Sequence, residues 1–463
     1  MYQRRKSSVV RIGNLLLGGD NPIRIQSMAN TSTMDTEASV MQAERIADAG
    51  GEIVRFTTQG QREALNMQNI SRKLRNDGYQ VPLVADVHFN AAVADTAAQF
   101  CEKVRINPGN YVDPGRKFKH IDYTDEQYAE EITKIKAKLV PFLNICKQNH
   151  TAIRIGVNHG SLSDRIMSRY GDTPEGMVES CMEFLRICVE EDFHDVVISI
   201  KASNCVVMVN TVRLLVKQMD HEHMCFPLHL GVTEAGEGED GRIKSAVGIG
   251  ALLCEGIGDT IRVSLSEAPE REIPVARKLV ELIPECAEMR EKAVEQIKDD
   301  MLTVTTDDSD WETLQLKVAM AAGAVFIDRK AHKLLIQNPN FDESRLTELA
   351  DAILQAARIK FTKTEYISCP GCGRTLYNLE KTIARIKETV GEKAKTDTRF
   401  KTLKIGIMGC IVNGPGEMAD ADYGYVGAAA GKVSLYKGKK CLEMNIPEDQ
   451  AVERLISLIE NDR

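Results

Sequence analysis

The sequence predicts an α/β protein: a (β/α)8 TIM barrel, then a short α/β insert, then a C-terminal α+β domain. Over the first 270 residues, short β-branched runs alternate with helix-length segments, which implies parallel strand pairing. There are eight such runs, the number that closes a barrel. An open doubly wound sheet has the same alternation, but no glycine-rich dinucleotide fingerprint follows the first run. From Thr364 onward the sequence changes to cysteines, glycines and short strands.

The eight predicted strands are rich in β-branched residues and end in polar ones. They are Arg24–Met28, Ile53–Thr58, Leu83–Val87, Lys103–Asn107, Ile153–Asn158, Val196–Ala202, Leu228–Thr233 and Ile261–Leu265. The segments between them carry helical periodicity. It is clearest where Val178, Cys181, Leu185 and Val189 recur at three- and four-residue spacing. We therefore expect each strand to be followed by a helix that packs on the barrel.

Three regions are predicted along the chain: the barrel over residues 1–280, the insert over 281–363 and the C-terminal domain over 364–463. The insert is expected to contain one βα-like unit. Its predicted parts are a helix over 280–300, a linker over 303–310, strands at Ala324–Ile327 and Leu334–Ile336, and a helix over 345–360.

Composition excludes several classes of protein. Hydrophobic residues make up 43% and charged residues 27% of the 463 residues, and no stretch approaches the ~20 apolar residues that span a bilayer. The formal charge of -8 argues against a nucleic-acid partner. The first residues lack the apolar run and cleavage site of a secretory signal, so we expect a cytoplasmic location.

The active site of a barrel lies at the carboxyl ends of its strands, and here these ends are strongly polar. The candidate residues, in chain order, are Arg55, Asp86, His88, Arg105, Asn107, Arg154, Asn158, Lys201, Thr233, Glu234, Arg262 and Ser264. Buried cations are costly unless they are paired, so five in apolar strands indicate a pocket for one or two phosphates. Glu234 and His88 are candidates for proton transfer, whereas Asp86 could hold an arginine in place.

Three of the twelve cysteines stand apart from the rest. Cys369 and Cys372 lie in a Cys-Pro-Gly-Cys stretch, and Cys410 precedes a Gly-Pro-Gly turn that ends at Glu417. Zinc sites, redox pairs and iron–sulfur sites share the Cys-x-x-Cys spacing. A [4Fe-4S] cluster held by three thiolates leaves one iron for a weak oxygen ligand such as Glu417, or for substrate. Cys441 is a possible fourth thiolate, but no turn residues flank it.

Several long motifs resemble the 4-hydroxy-3-methylbut-2-enyl diphosphate synthase family, also called the IspG or GcpE family. They are Ala85–Asn90, Val104–Asn110, Arg154–Asn158, Gly231–Gly236, Cys369–Cys372 and Gly409–Glu417, and they occur in the family's order. The resemblance covers about residues 5–275 and 360–450.

The resemblance implies an oxidoreductase of the non-mevalonate isoprenoid pathway. Its reaction is the reductive ring opening of 2-C-methyl-D-erythritol 2,4-cyclodiphosphate, with two electrons from ferredoxin or flavodoxin passing through the cluster. By position, Arg55, Arg105, Arg154, Lys201 and Arg262 match diphosphate-binding residues, and Asp86, His88, Asn158, Thr233 and Ser264 line the pocket. Glu234 matches the proton donor, Cys369, Cys372 and Cys410 the cluster ligands, and Glu417 the labile fourth ligand.

The loop after the fourth strand and the run Asn158–Arg165 resemble the larger, three-domain form of the family. That form carries a second barrel-like domain, for which the segment before Cys369 is too short. Family members of two domains bring the cluster of one chain over the barrel of another, and we expect a homodimer here. The competing hypothesis is a phosphate-binding barrel lyase or transferase with a structural zinc module.

Overall fold

The computed structural model describes residues 2–113, 120–412, 414–418 and 420–462. A short antiparallel hairpin, β1 (Val10–Ile12) and β2 (Leu15–Leu17), precedes the barrel. Val10, Ile12 and Leu17 pack against inward-facing apolar residues at the start of the barrel strands. The hairpin therefore closes the bottom of the barrel with an apolar plug.

All eight predicted barrel strands are present and pair in parallel. They are β3 (Arg24–Met28), β4 (Ile53–Thr57), β5 (Leu83–Asp86), β6 (Lys103–Ile106), β7 (Ala152–Asn158), β8 (Val196–Lys201), β9 (His229–Leu230) and β10 (Thr260–Ile261). A parallel bridge between Ile198 and Leu228 joins β8 to β9 and closes the ring. The last two strands are shorter than predicted, so Thr233 and Ser264 lie on loops beyond the strand ends.

Helices follow the strands and cover the outside of the barrel. They are α1 (Thr36–Asp48), α2 (Gln61–Asn76), α3 (Ala91–Ala97), α4 (Pro108–Tyr111), α5 (Asp125–Asn149), α6 (Asp164–Tyr170), α7 (Pro174–Glu190), α8 (Cys205–His221), α9 (Gly238–Leu253), α10 (Glu272–Glu281) and α11 (Ile283–Glu295). Their starts follow local chemistry: Asp35 caps α1, and Thr124 and Gln127 form a capping box on α5. Residues 114–119 of the long loop before α5 lie outside the described part of the chain.

The insert consists of β11 (Met301–Thr305), α12 (Trp311–Ile327), β12 (Lys333–Gln337) and α13 (Glu343–Ala356), with β11 and β12 paired in parallel. Two expectations were wrong. Ala324–Ile327, predicted as a strand, is the end of α12, and the predicted linker begins as β11. Helix α12 packs closely on α9, where a Cβ on Gly323 would lie 2.8 Å from Val247 O. One apolar core runs from the barrel through the insert to Ala357.

The C-terminal part of the chain forms a five-stranded sheet with its own core. Its elements are β13 (Glu365–Ser368), α14 (Leu379–Ala394), β14 (Lys404–Met408), α15 (Gly414–Glu417), β15 (Tyr423–Ala429), β16 (Lys432–Lys437), β17 (Lys440–Pro447) and α16 (Glu448–Glu460). A parallel bridge between Ala235 and Ser368 joins β13 to the mouth of the barrel. No helix in the described ranges is long and apolar enough to span a membrane.

Candidate active site

One cavity of about 90 Å³ lies where the C-terminal domain covers the mouth of the barrel. Eleven barrel residues predicted from the strand ends line it: Arg55, Asp86, His88, Arg105, Arg154, Asn158, Lys201, Thr233, Glu234, Arg262 and Ser264. Cys369, Cys372 and Cys410 line it from the other domain. Asn107, by contrast, turns away to cap α4 and contact Ser161.

Asp86 is the central carboxylate of the cavity. Its Oδ1 lies 3.0 Å from Arg105 Nη1, and its Oδ2 lies 3.0 Å from Arg374 Nη2 and 3.9 Å from Arg55 Nε. Burial alone would raise the pKa of Asp86, but Arg55 and Arg105 outweigh burial and hold this pKa well below its usual range. Asp86 was predicted to hold an arginine in place, and in the structure it pairs with arginines of both domains.

Two other cations of the cavity have no acidic partner among the described residues. Arg154 is 1% exposed, its Nε and Nη1 have no hydrogen-bond partner, and no described carboxylate forms an ion pair with it or with Lys201. Burial, followed by the charge of Arg154, lowers the pKa of Lys201 well below its usual value. Arg262 differs, because Glu272 pairs with it at 3.0 Å. Because buried cations without a partner are costly, the cavity is suited to an anionic ligand.

His88 is buried and lies beside Asp86 and Arg105. Burial lowers its pKa to about 3, and the charges of Arg105 and Arg374 act in the same direction. The imidazole is therefore neutral near pH 7, and its Nε2 accepts a hydrogen bond from Arg105. This arrangement suits a positioning residue better than a proton donor.

Glu234 and Glu417 approach each other from the two domains. Glu417 accepts hydrogen bonds from Asn158 Nδ2 at 2.9 Å and from Thr233 Oγ1 at 3.0 Å. Burial raises the pKa of Glu234, and burial together with the charge of Glu234 raises the pKa of Glu417 well above its usual value. Two buried carboxyls this close cannot both ionise easily, so the pair retains a proton.

The three thiols stand around one wall of the cavity, and the backbone N–H of Gly409 donates to Cys369 Sγ over 3.2 Å. In the described part of the chain, no three His, Cys, Asp or Glu side chains converge on the position of a single metal ion. Cys441 lies on β17 and does not line the cavity, and its thiol donates to Glu443 O at 3.6 Å. Three thiols therefore line the cavity, and the carboxylate of Glu417 is hydrogen-bonded to two other lining residues, Asn158 and Thr233.

The two domains meet in backbone contact beside Glu417. A Cβ on Gly416 would lie 1.9 Å from Gly160 O, and one on Gly160 would lie 2.4 Å from Glu417 N. Only glycine fits at either position, because any side chain would collide with the opposing backbone. This Gly160–Gly416 seam, with the bond from Ser203 Oγ to Glu417 O at 3.0 Å, closes the cavity within a single chain.

Two family models match the chain: the GcpE TIM-barrel domain over residues 7–277 and the GcpE protein C-terminal domain over residues 365–461. The chain belongs to the GcpE family. The resemblance inferred from the motifs is thereby confirmed. The two models leave residues 278–364 of this GcpE chain unmatched.

Curated relatives match the GcpE chain over nearly its full length. Proteins from Phocaeicola vulgatus and Bacteroides thetaiotaomicron are each 52% identical, cover 99% and 100% of the chain, and are themselves covered to 98%. A protein from Porphyromonas gingivalis is 44% identical, with 100% of the chain and 98% of the relative covered. All three are named 4-hydroxy-3-methylbut-2-en-1-yl diphosphate synthase (flavodoxin). The first alignment spans 607 positions against 463 residues here, so it contains long gaps in this chain.

The structure also brings residues into the cavity of this GcpE chain that sequence reasoning missed. They are Met28, Ser199 and Arg374. Met28 contacts Arg55, with Sδ 2.7 Å from Nη2. Arg374 follows Cys372 by two residues, and this position beside the cysteine motif is the one sequence feature that could have indicated a role in the site.

Proposed function

We propose that this chain catalyses the reductive ring opening of 2-C-methyl-D-erythritol 2,4-cyclodiphosphate to 4-hydroxy-3-methylbut-2-enyl diphosphate. The observation that carries the proposal is the cavity itself, in which unpaired buried cations face three thiols. The names of the relatives support the same reaction. The alternative, a lyase or transferase with a structural zinc module, is not favoured by these names.

The cations bind the diphosphate. Arg154 and Lys201 form no ion pair with a described carboxylate, so a bound diphosphate would supply the missing negative charge and favour the charged forms of both side chains. A guanidinium can also bind phosphate oxygens in pairs. Asp86 holds Arg55 and Arg105 in place, and Arg262 is fixed by Glu272. These side chains are therefore oriented before the diphosphate binds, so little of the binding free energy is lost in ordering them.

Cys369, Cys372 and Cys410 would hold a [4Fe-4S] cluster, with Glu417 as a weak fourth ligand. The thiols would fit such a group because three thiolates that hold a cluster need not converge on one ion, and the N–H of Gly409 that donates to Cys369 is the kind of hydrogen bond that tunes cluster sulfurs. When bound, the cluster supplies single electrons to the substrate. Glu234 retains its proton through burial and gives it to the departing hydroxyl, which leaves as water.

A flavodoxin is the proposed electron donor, because the relatives carry it in their names, and a ferredoxin remains the alternative donor. The homodimer stays a prediction. A dimer is not needed to bring the two domains together, since thiols and barrel residues of one chain already line the same cavity. The cytoplasmic location expected from the sequence also stays a prediction.

The proposed function is tested on protein isolated without oxygen. We expect about four iron and four sulfide per chain and turnover of the cyclic diphosphate with reduced flavodoxin. Stoichiometric zinc without sulfide, or a full cluster without turnover, would contradict the proposal.

A further inference from the structure

Arg374 joins the two halves of the cavity through one side chain. It lies on the loop after Cys372, is 8% exposed and reaches Asp86 Oδ2 of the barrel at 3.0 Å. The same guanidinium lies beside the thiols of Cys372 and Cys410. It is thus the described cation that contacts both the central carboxylate and the cysteine wall.

We propose that Arg374 is a positioning residue that fixes the cysteine-bearing loop on the barrel and raises the reduction potential of the cluster held there. The inference rests on the proposed function, because it requires a cluster on Cys369, Cys372 and Cys410.

The direction of the effect follows from charge. Reduction adds one negative charge to the cluster, and a fixed positive charge nearby stabilises the reduced form more than the oxidised form. Guanidinium stays charged in proteins, and at this depth salt screens it weakly. Asp86 does not cancel the charge of Arg374, because Asp86 also pairs with Arg105 and lies near Arg55.

A purely structural role would leave the potential unchanged, so the potential is the decisive measurement. Holoenzyme is prepared without oxygen as wild type, Arg374→Gln and Arg374→Lys, and iron and sulfide are determined for each. The reduced fraction is then titrated against potential and followed by electron paramagnetic resonance. The control is Arg399→Gln, which removes a charge from an exposed arginine of the same domain that pairs with Asp397.

We expect Arg374→Gln to lower the ratio of reduced to oxidised cluster about tenfold at a fixed potential, which is ~59 mV for one electron. Arg374→Lys should show a smaller shift, and Arg399→Gln none. A wild-type potential in Arg374→Gln with normal cluster content would overturn the inference. Missing iron and sulfide in the wild type would instead contradict the proposed function.

A second variant keeps the positioning role testable if Arg374→Gln does not retain its cluster. Asp86→Asn removes the barrel partner of Arg374 and leaves the C-terminal domain unaltered. We expect hydrogen exchange at residues 370–376 to accelerate at least tenfold in this variant, while exchange in α16 stays unchanged. Unchanged exchange at the loop would show that Arg374 does not fix it.

Discussion

Asn158 donates from Nδ2 to Glu417 Oε1 over 2.9 Å, so the end of β7 is bonded directly to the Gly-Pro-Gly-Glu turn of the other domain. The Oδ1 of Asn158 accepts from Arg105 at 2.9 Å, and Arg105 in turn contacts Asp86. Because Asp86 pairs with Arg374, a continuous chain of polar contacts starts at Glu417 in the C-terminal domain, crosses the barrel mouth and ends at Arg374 in the C-terminal domain. The orientation of Arg105 therefore depends on closure of the two domains.

Replacing Arg154 should separate binding from stability. Arg154→Met removes an unpaired buried cation, so we expect the ligand-free protein to gain up to ~4 kcal/mol in free energy of unfolding. Its affinity for the cyclic diphosphate should fall by ~1.5–3 kcal/mol, since a charge-assisted contact is lost. Denaturant unfolding and ligand titration measure the two effects.

The matched variant is Arg262→Met, which leaves Glu272 buried without its partner. We expect this variant to lose ~3–5 kcal/mol in free energy of unfolding. Equal stability changes in the two variants would contradict the distinction between paired and unpaired cations.

Glu234→Gln should slow the chemical step and leave binding nearly intact. A general acid typically contributes 10²–10⁴-fold, so we expect kcat to fall within about that range while KM changes little. Steady-state kinetics with reduced flavodoxin measure both constants. Glu239→Gln, on the exposed first turn of α9, serves as control, and an equal loss of kcat there would refute a specific role for Glu234.

His88 should make the protein less stable in acid. Its pKa is lowered from an ordinary value of 6.5 to about 3, so below pH 6.5 the unfolded chain binds a proton that the folded protein does not. The free energy of unfolding should therefore fall as pH drops from 6.5 towards 3, by at most ~1.4 kcal/mol per pH unit from this residue. His88→Gln should remove that part of the slope in unfolding curves. An identical slope in both proteins would show that folding does not lower the pKa of His88.

Cys410→Ser should abolish the cluster and leave the barrel folded. We expect little iron and sulfide in this variant and an unchanged circular dichroism spectrum, because Cys410 lies on a loop outside both main cores. Cys441→Ser is the control and should keep its full iron and sulfide, since Cys441 lies on β17. The reverse pattern would make Cys441 a ligand.

A mixing experiment tests whether one chain contains the whole site. Arg154→Ala weakens substrate binding by the barrel half and Cys410→Ser removes the cysteine half, so we expect low turnover from the first variant at limiting substrate and none from the second. Because one chain contributes both halves of the cavity, we expect no recovery when the two variants are produced together. Restored turnover would mean that chains exchange halves in a head-to-tail dimer.

The strand ends were predictable because parallel strands bury continuous apolar runs, which makes the cations at Arg55, Arg105 and Arg154 conspicuous. Arg374 could not be found in this way, since it lies on a loop of the other domain and reaches Asp86 only after folding. The end of α12 was mistaken for a strand for a physical reason. From Leu314 to Ile327 this helix is buried on every side, so it lacks the polar face that gives helices their periodicity.

In the described part of the chain, the apolar plug of β1 and β2 closes the bottom of the barrel, and the C-terminal domain covers its mouth. Across this mouth the two domains lie backbone to backbone at Gly160 and Gly416. A side chain added at either glycine would hold the two domains apart, while the chemical groups on both sides of the cavity remain intact.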